Sequence, residues 1–246
     1  MIKTQDCVAL VTGSNRGLGR AYCEGLLRGG AAKVYAAARD CSKIDLRDSR
    51  VVPIALDVTS IGDVRSAAQH CQDVSLLINN AGVLGGSPML GPEAEQAARL
   101  EMETHYFGVL SMVARFAPVL ATNGGGAILN VLSVGSWFAS PPIATYCASK
   151  AAAEILTDAI RVQLRSQRTH VAGVYAGYID TDMSAHIAQP KTSPTQVVER
   201  SLAGLESGAE RIFADESAAY VDQRVRTDRT AFDAEISRHW ENLQSS

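Results

Sequence analysis

Two side chains in this 246-residue sequence stand where they could move a proton, Tyr146 and Lys150. On a helix read over Tyr146 to Arg165 they are four positions apart, which puts both on one face. A free phenol has a pKa near about 10, so it is a poor base at neutral pH unless a nearby positive charge favours the phenolate. Lys150 can supply that charge, and a sufficient shift asks about 3 to 4 kcal/mol of the site.

A second set of residues could hold a phosphate. The strand read over Cys7 to Thr12 runs into Thr12-Gly13-Ser14-Asn15-Arg16-Gly17-Leu18-Gly19, which opens a helix over Leu18 to Arg28. Glycines let the backbone turn sharply and approach a pyrophosphate, whose charge meets the free N–H groups and positive end of the following helix. Taken alone, such a turn can equally be a tight strand-to-helix connection. In a dinucleotide fold the residue about 20 positions further on meets the adenosine ribose, where an acid favours NAD and an arginine a 2′-phosphate. Here that residue is Arg39, preceded by three alanines, and Arg16 within the turn adds a second cation.

The elements that must position these groups alternate along the chain. Short apolar runs at Cys7 to Thr12, Lys33 to Ala38, Val51 to Ile54, Val74 to Asn79, Gly126 to Ser133, Val171 to Tyr175 and Arg211 to Phe213 read as buried parallel strands. Stretches of helical period at Leu18 to Arg28, Ile61 to Cys71, Glu93 to Ala121, Tyr146 to Arg165 and Thr195 to Ser207 lie between them. This pattern predicts an α/β fold, a Rossmann-type doubly wound parallel sheet in a single domain over residues 1–246. The tail from Ala214 to Ser246 is charged, reads as partly helical and carries no motif.

The spacing T-G-x-x-x-G-x-G resembles the short-chain dehydrogenase/reductase family, in its short single-domain branch. Asn79-Asn80-Ala81-Gly82 and Tyr146-Cys147-Ala148-Ser149-Lys150 match two further motifs of that family, in the right order over Lys3 to Phe213. The resemblance implies an NADP(H)-dependent oxidoreductase that interconverts a ketone or aldehyde and an alcohol. It implies that Ser133, thirteen residues before Tyr146, binds the substrate oxygen while Tyr146 exchanges the proton. Lys150 would also hold the nicotinamide ribose hydroxyls, and the oxidised nicotinamide would add its positive charge in favour of the Tyr146 phenolate. Cofactor contacts are expected at Gly13, Asn15, Arg16, Gly17, Leu18, Gly19, Arg39, Asp57, Val58, Asn80, Ala81, Gly82, Tyr146, Lys150, Gly177, Ile179 and Thr181. Of these, Asp57 and Val58 would hold the adenine, Asn80 the adenosine side, and Thr181 the carboxamide. The family's Pro-Gly before that threonine is Ala176-Gly177 here.

One catalytic position departs from the family. Its asparagine, whose backbone carbonyl holds a water linking the lysine to solvent, is His105 in this chain. The carbonyl could preserve that relay, the imidazole could join it, or the side chain could be a packed core histidine.

Val134 to Ala144, with Trp137 and Phe138, and Tyr178 and Asp182 to Ser193 are expected to line a substrate pocket for an apolar compound. The last of these segments is short for the family, predicting a small lid and an open site. Alanines 148, 151, 152 and 159 would let a second copy pack closely, giving a homodimer or homotetramer. The formal net charge of -3 offers no basic stripe for nucleic acid. The N-terminal segment lacks the length of a signal peptide or membrane helix. Five cysteines without a paired motif predict neither a disulfide framework nor a metal site, which suits a reducing cytoplasm. Two rival readings share part of this pattern: a sugar-nucleotide epimerase or dehydratase, usually longer by a C-terminal substrate domain, and an NADP(H)-sensing protein without catalysis.

Overall fold

The computed structural model describes residues 3–245. Seven strands, β1 (Val8–Thr12), β2 (Lys33–Ala38), β3 (Val51–Ala55), β4 (Leu76–Asn79), β5 (Gly126–Val131), β6 (Thr169–Tyr175) and β7 (Arg211–Phe213), form one sheet in the order β3-β2-β1-β4-β5-β6-β7. Every neighbouring pair is parallel. Leu76, Leu77 and Ile78, and likewise Ala127, Ile128 and Leu129, are fully buried, because helices cover both faces and water reaches neither side of the central strands.

On one face lie α1 (Gly17–Arg28) and α6 (Pro194–Glu206). They approach so closely that a Cβ on Gly25 would lie 2.5 Å from Val198 Cγ1. The other face packs α2 (Ile61–His70), α4 (Val109–Thr122) and α5 (Ala144–Leu164). A buried polar ladder ties sheet to helix there: Asn79 Nδ2 donates to Asn130 Oδ1 at 2.8 Å, and Asn130 Nδ2 to Thr157 Oγ1 at 2.9 Å.

Two features differ from the sequence reading, and the tail read as partly helical takes definite form. The helix expected over Glu93 to Ala121 is α3 (Ala94–Met102), a π-helical turn at Glu103–Gly108, and α4. A π turn carries one extra residue between bonded groups, a shift that side-chain periodicity barely registers. The strand expected to reach Ser133 ends at Val131, and Ser133 caps a short turn at Val134–Ser136. The tail folds as α7 (Glu216–Thr227) and α8 (Arg229–Gln244), each opened by an aspartate cap, Asp215 accepting from Ala218 N and Asp228 from Ala231 N.

No helix among the described residues is long and apolar enough to cross a membrane. On α5, Ala148 and Ala159 are exposed and Ala151 and Ala152 half-buried. Strand order reverses between β1 and β4, so the crevice beyond their carboxyl ends is where such a sheet binds ligands.

Candidate active site

That crevice is a cleft of about 1270 Å³, and every cofactor and catalytic residue expected from the sequence lines it. Its floor at one end is the glycine turn. Gly13 and Gly17 have φ of 70° and 54°, a region that side chains disfavour. A Cβ on Gly19 would lie 2.1 Å from Gly13 O, so only glycine allows the helix to start against the turn. Thr12 Oγ1 accepts from the amides of Asn80 and Ala81, both at 3.0 Å, and Asn80 Nδ2 donates to Thr12 O at 2.8 Å. The Asn80 side chain therefore locks the β1 and β4 ends together as well as facing the cleft. Thr181 packs beside Gly17, where an added Cβ would meet its Cγ2 at 3.3 Å.

Three cations stand at this end. Arg39, just past β2, is exposed and has no ion pair or hydrogen bond among the described residues. Arg16 Nη1 pairs with Asp182 Oδ2 at 2.9 Å, and Lys43, which the sequence reading missed, pairs with Asp40 at 3.2 Å. A glycine cradle that excludes side chains, ending in cations, fits a dinucleotide with an added phosphate.

At the opposite end Ser133, Tyr146 and Lys150 converge. Ser133 Oγ accepts from Gly135 N at 3.1 Å, and the Ser133 hydroxyl favours the ionised form of the Tyr146 phenol. Lys150 Nζ donates to Val131 O at 2.9 Å and lies 5.7 Å from the Tyr146 ring centroid. Burial pulls the Lys150 pKa down to about 8. Burial pushes the Tyr146 phenol up to about 12, against the pull of Ser133. The expected lowering of the phenol counts the charge of an oxidised nicotinamide beside that of Lys150; in the chain alone, burial dominates.

His105 lies in the π turn, 1% exposed, with both ring nitrogens engaged. Val83 N donates to Nε2 at 3.1 Å, and Nδ1 lies 2.8 Å from Ser149 Oγ. Ser149 Oγ in turn donates to Tyr146 O at 2.7 Å. Burial, then the Lys150 charge, hold the imidazole pKa well below its ordinary value.

The model of the family described as short chain dehydrogenase matches residues 7–192. This chain belongs to the short chain dehydrogenase family. A crystal structure of a short chain dehydrogenase from Burkholderia cenocepacia J2315, in complex with NADP, superposes with a TM-score of 0.93 at 42% identity, covering 96% of this chain and 99% of that one. An uncharacterized oxidoreductase of Staphylococcus saprophyticus is 25% identical over 84% of this chain and 94% of its own length. Gluconate 5-dehydrogenase of Gluconobacter oxydans is 28% identical over 80% of each.

In this short chain dehydrogenase the substrate end differs from expectation in two ways. Phe138 lines the cleft but Trp137 does not. Trp137 stacks on Tyr175 at 4.4 Å, donates to Glu154 Oε1 at 2.9 Å and lies under the Arg211 guanidinium. A buried carboxylate and a second aromatic ring draw the indole away from the cleft. The tail, which carried no motif, reaches the site: Val221, His239 and Leu243 line the cleft beside Tyr178 and Met183. Instead of only a small lid, the site thus has an added helical wall, pinned where Phe232 meets the Phe138 ring edge at 5.2 Å and Arg229 Nη1 donates to Trp137 O at 3.1 Å.

Proposed function

We propose that this protein is an NADP(H)-dependent oxidoreductase that reduces a carbonyl compound to an alcohol, and catalyses the reverse, with Tyr146 as the proton donor or acceptor. The convergence of Ser133, Tyr146 and Lys150 in the same cleft as the glycine cradle carries this reading. When bound, NADP(H) supplies or takes the hydride. Residues of the turn from Gly13 to Gly19 would hold the pyrophosphate, Arg39 the 2′-phosphate, and Lys150 the nicotinamide ribose.

The chain's own groups then handle the oxygen. Ser133 donates a hydrogen bond to the substrate oxygen, steadying negative charge as it develops. Tyr146, whose high pKa keeps its proton at neutral pH, passes that proton to the same oxygen as the alcohol forms. Lys150 then faces the phenolate left behind, and its positive charge favours that state. Walls that include Leu84, Phe138, Ile143 and Met183 suit an apolar ketone or aldehyde.

The test is NADPH consumption over aromatic ketones, diketones and ketoacyl thioesters, with kcat/KM for both cofactors. Charge-assisted contacts to the 2′-phosphate predict a preference for NADPH of at least about tenfold, reduced in Arg39→Asp. Tyr146→Phe should lower turnover by about a hundredfold or more while NADPH affinity stays nearly unchanged. Equal use of NADH, or substantial turnover in Tyr146→Phe, refutes the assignment.

A further inference from the structure

We propose that His105 is a positioning residue: its neutral imidazole is a bridge that fixes the Tyr146 helix against the segment from Val83 to Ser87, one wall of the cleft. The proposal rests on the oxidoreductase reading for its kinetic consequence, and on hydrogen-bond geometry alone for the bridge.

Donor and acceptor roles in the bridge follow from its neighbours. Val83 N can only donate, so the Nε2 that receives it at 3.1 Å carries a lone pair. Ser149 Oγ gives its one proton to Tyr146 O at 2.7 Å, so it must accept from the imidazole. The proton is therefore on Nδ1, and the chain reads His105 Nδ1–H to Ser149 Oγ–H to Tyr146 O. A second proton on Nε2 would face the Val83 N–H and break that bond. Lys150 and Tyr146 of α5 face the ring, and the ammonium opposes a second positive charge there, while the carboxylate of Glu101 on α3 is held by the amides of Gly85 and Gly86.

The surroundings are shaped for this ring. It meets the Tyr146 ring edge-on at 5.4 Å and 88°. A Cβ on Gly82 would lie 3.2 Å from Nε2, so a glycine there lets the imidazole reach Val83. Further along the same segment, Glu101 Oε1 accepts from Gly85 N and Gly86 N at 2.9 and 3.3 Å, and Thr145 N and Oγ1 donate to Ser87 O. The wall is clasped from α3, from the π turn and from the start of α5, and His105 is the clasp that also touches the reacting phenol's ring. With its Nδ1 proton held by Ser149 and its Nε2 lone pair held by Val83 N, the ring has no free nitrogen to take up or release a proton, which separates this role from general acid or base catalysis.

Histidine-selective nitrogen NMR on the protein alone reads the bridge without turnover. The expected spectrum shows His105 protonated on Nδ1 only, unchanged from about pH 6 to about pH 9, with its Nδ1 signal shifted in Ser149→Ala. An Nε2–H tautomer, or titration near about 6.5, overturns the proposal. In kinetics, Ser149→Ala and His105→Phe should each lower kcat by about tenfold, and the double variant should fall less than about twofold below the weaker single, because one chain of bonds is lost once. His105→Asn keeps a donor for Ser149 and should recover most of kcat with the parent's pH profile. Losses that multiply in the double variant, or kcat unchanged in Ser149→Ala, overturn the positioning role. If His105→Phe does not fold, Ser149→Ala and His105→Asn still decide it. Should the parent reduce no carbonyl, the function proposed above fails, while the NMR result still decides the bridge.

Discussion

Lys150 holds its ammonium 6% exposed at the cleft floor, and burial lowers its pKa from 10.5 to about 8. Below about 8 both folded and unfolded chains carry this charge, and the folded one carries it at a penalty of about 3 kcal/mol. Between about 8 and 10.5 the unfolded state binds the extra proton, so this group makes stability rise with pH across that window. Lys150→Met should therefore stabilise the protein at neutral pH by up to about 3 kcal/mol and remove that rise, while catalysis is lost. Urea unfolding of parent and variant at several pH values checks it; equal stabilities at neutral pH would contradict it. The residues at this scale were legible where spacing alone places them, as with Tyr146 and Lys150 on adjacent helical turns. Trp137 was not, because Glu154, Tyr175 and Arg211 decide its direction from three other elements.

Among the elements, continuous apolar runs marked the strands, and the glycine turn marked the start of α1. The π turn was invisible because its residues keep the apolar and polar alternation of a plain helix. Helices α7 and α8 were partly legible: Asp215 and Asp228 are their capping residues, which a search for helix starts could have found. What the sequence could not convey is where α8 docks, since Phe232 is its one buried residue and Phe138 lies far away along the chain. Removing that anchor should free the wall without touching the reacting groups. Phe232→Ala is expected to raise KM for a bulky apolar ketone several-fold more than for a small one, with NADPH affinity unchanged. Equal effects on large and small ketones would show that α8 does not select.

At the scale of the molecule, one parallel sheet brings the carboxyl ends of β1, β4 and β5 to a common crevice, which is why motifs scattered along the chain meet. The order of the motifs was therefore enough to foresee the architecture, whereas the links across the cleft were not written in any local pattern. One of those links is the Arg16–Asp182 pair, which joins the glycine turn to the segment that borders the substrate end. With side chains 70% and 74% exposed it is worth at most about 1 kcal/mol. A 2′-phosphate that recruits Arg16 must draw it from Asp182, so cofactor affinity and the freedom of that segment become linked quantities. Asp182→Asn should raise NADPH affinity, by no more than about fivefold, in a fluorescence titration; a fall would reverse the sign of the linkage. Reciprocity gives the same factor in the other direction: whatever bound phosphate takes from Asp182, a ligand that presses Asp182 back onto Arg16 takes from the phosphate.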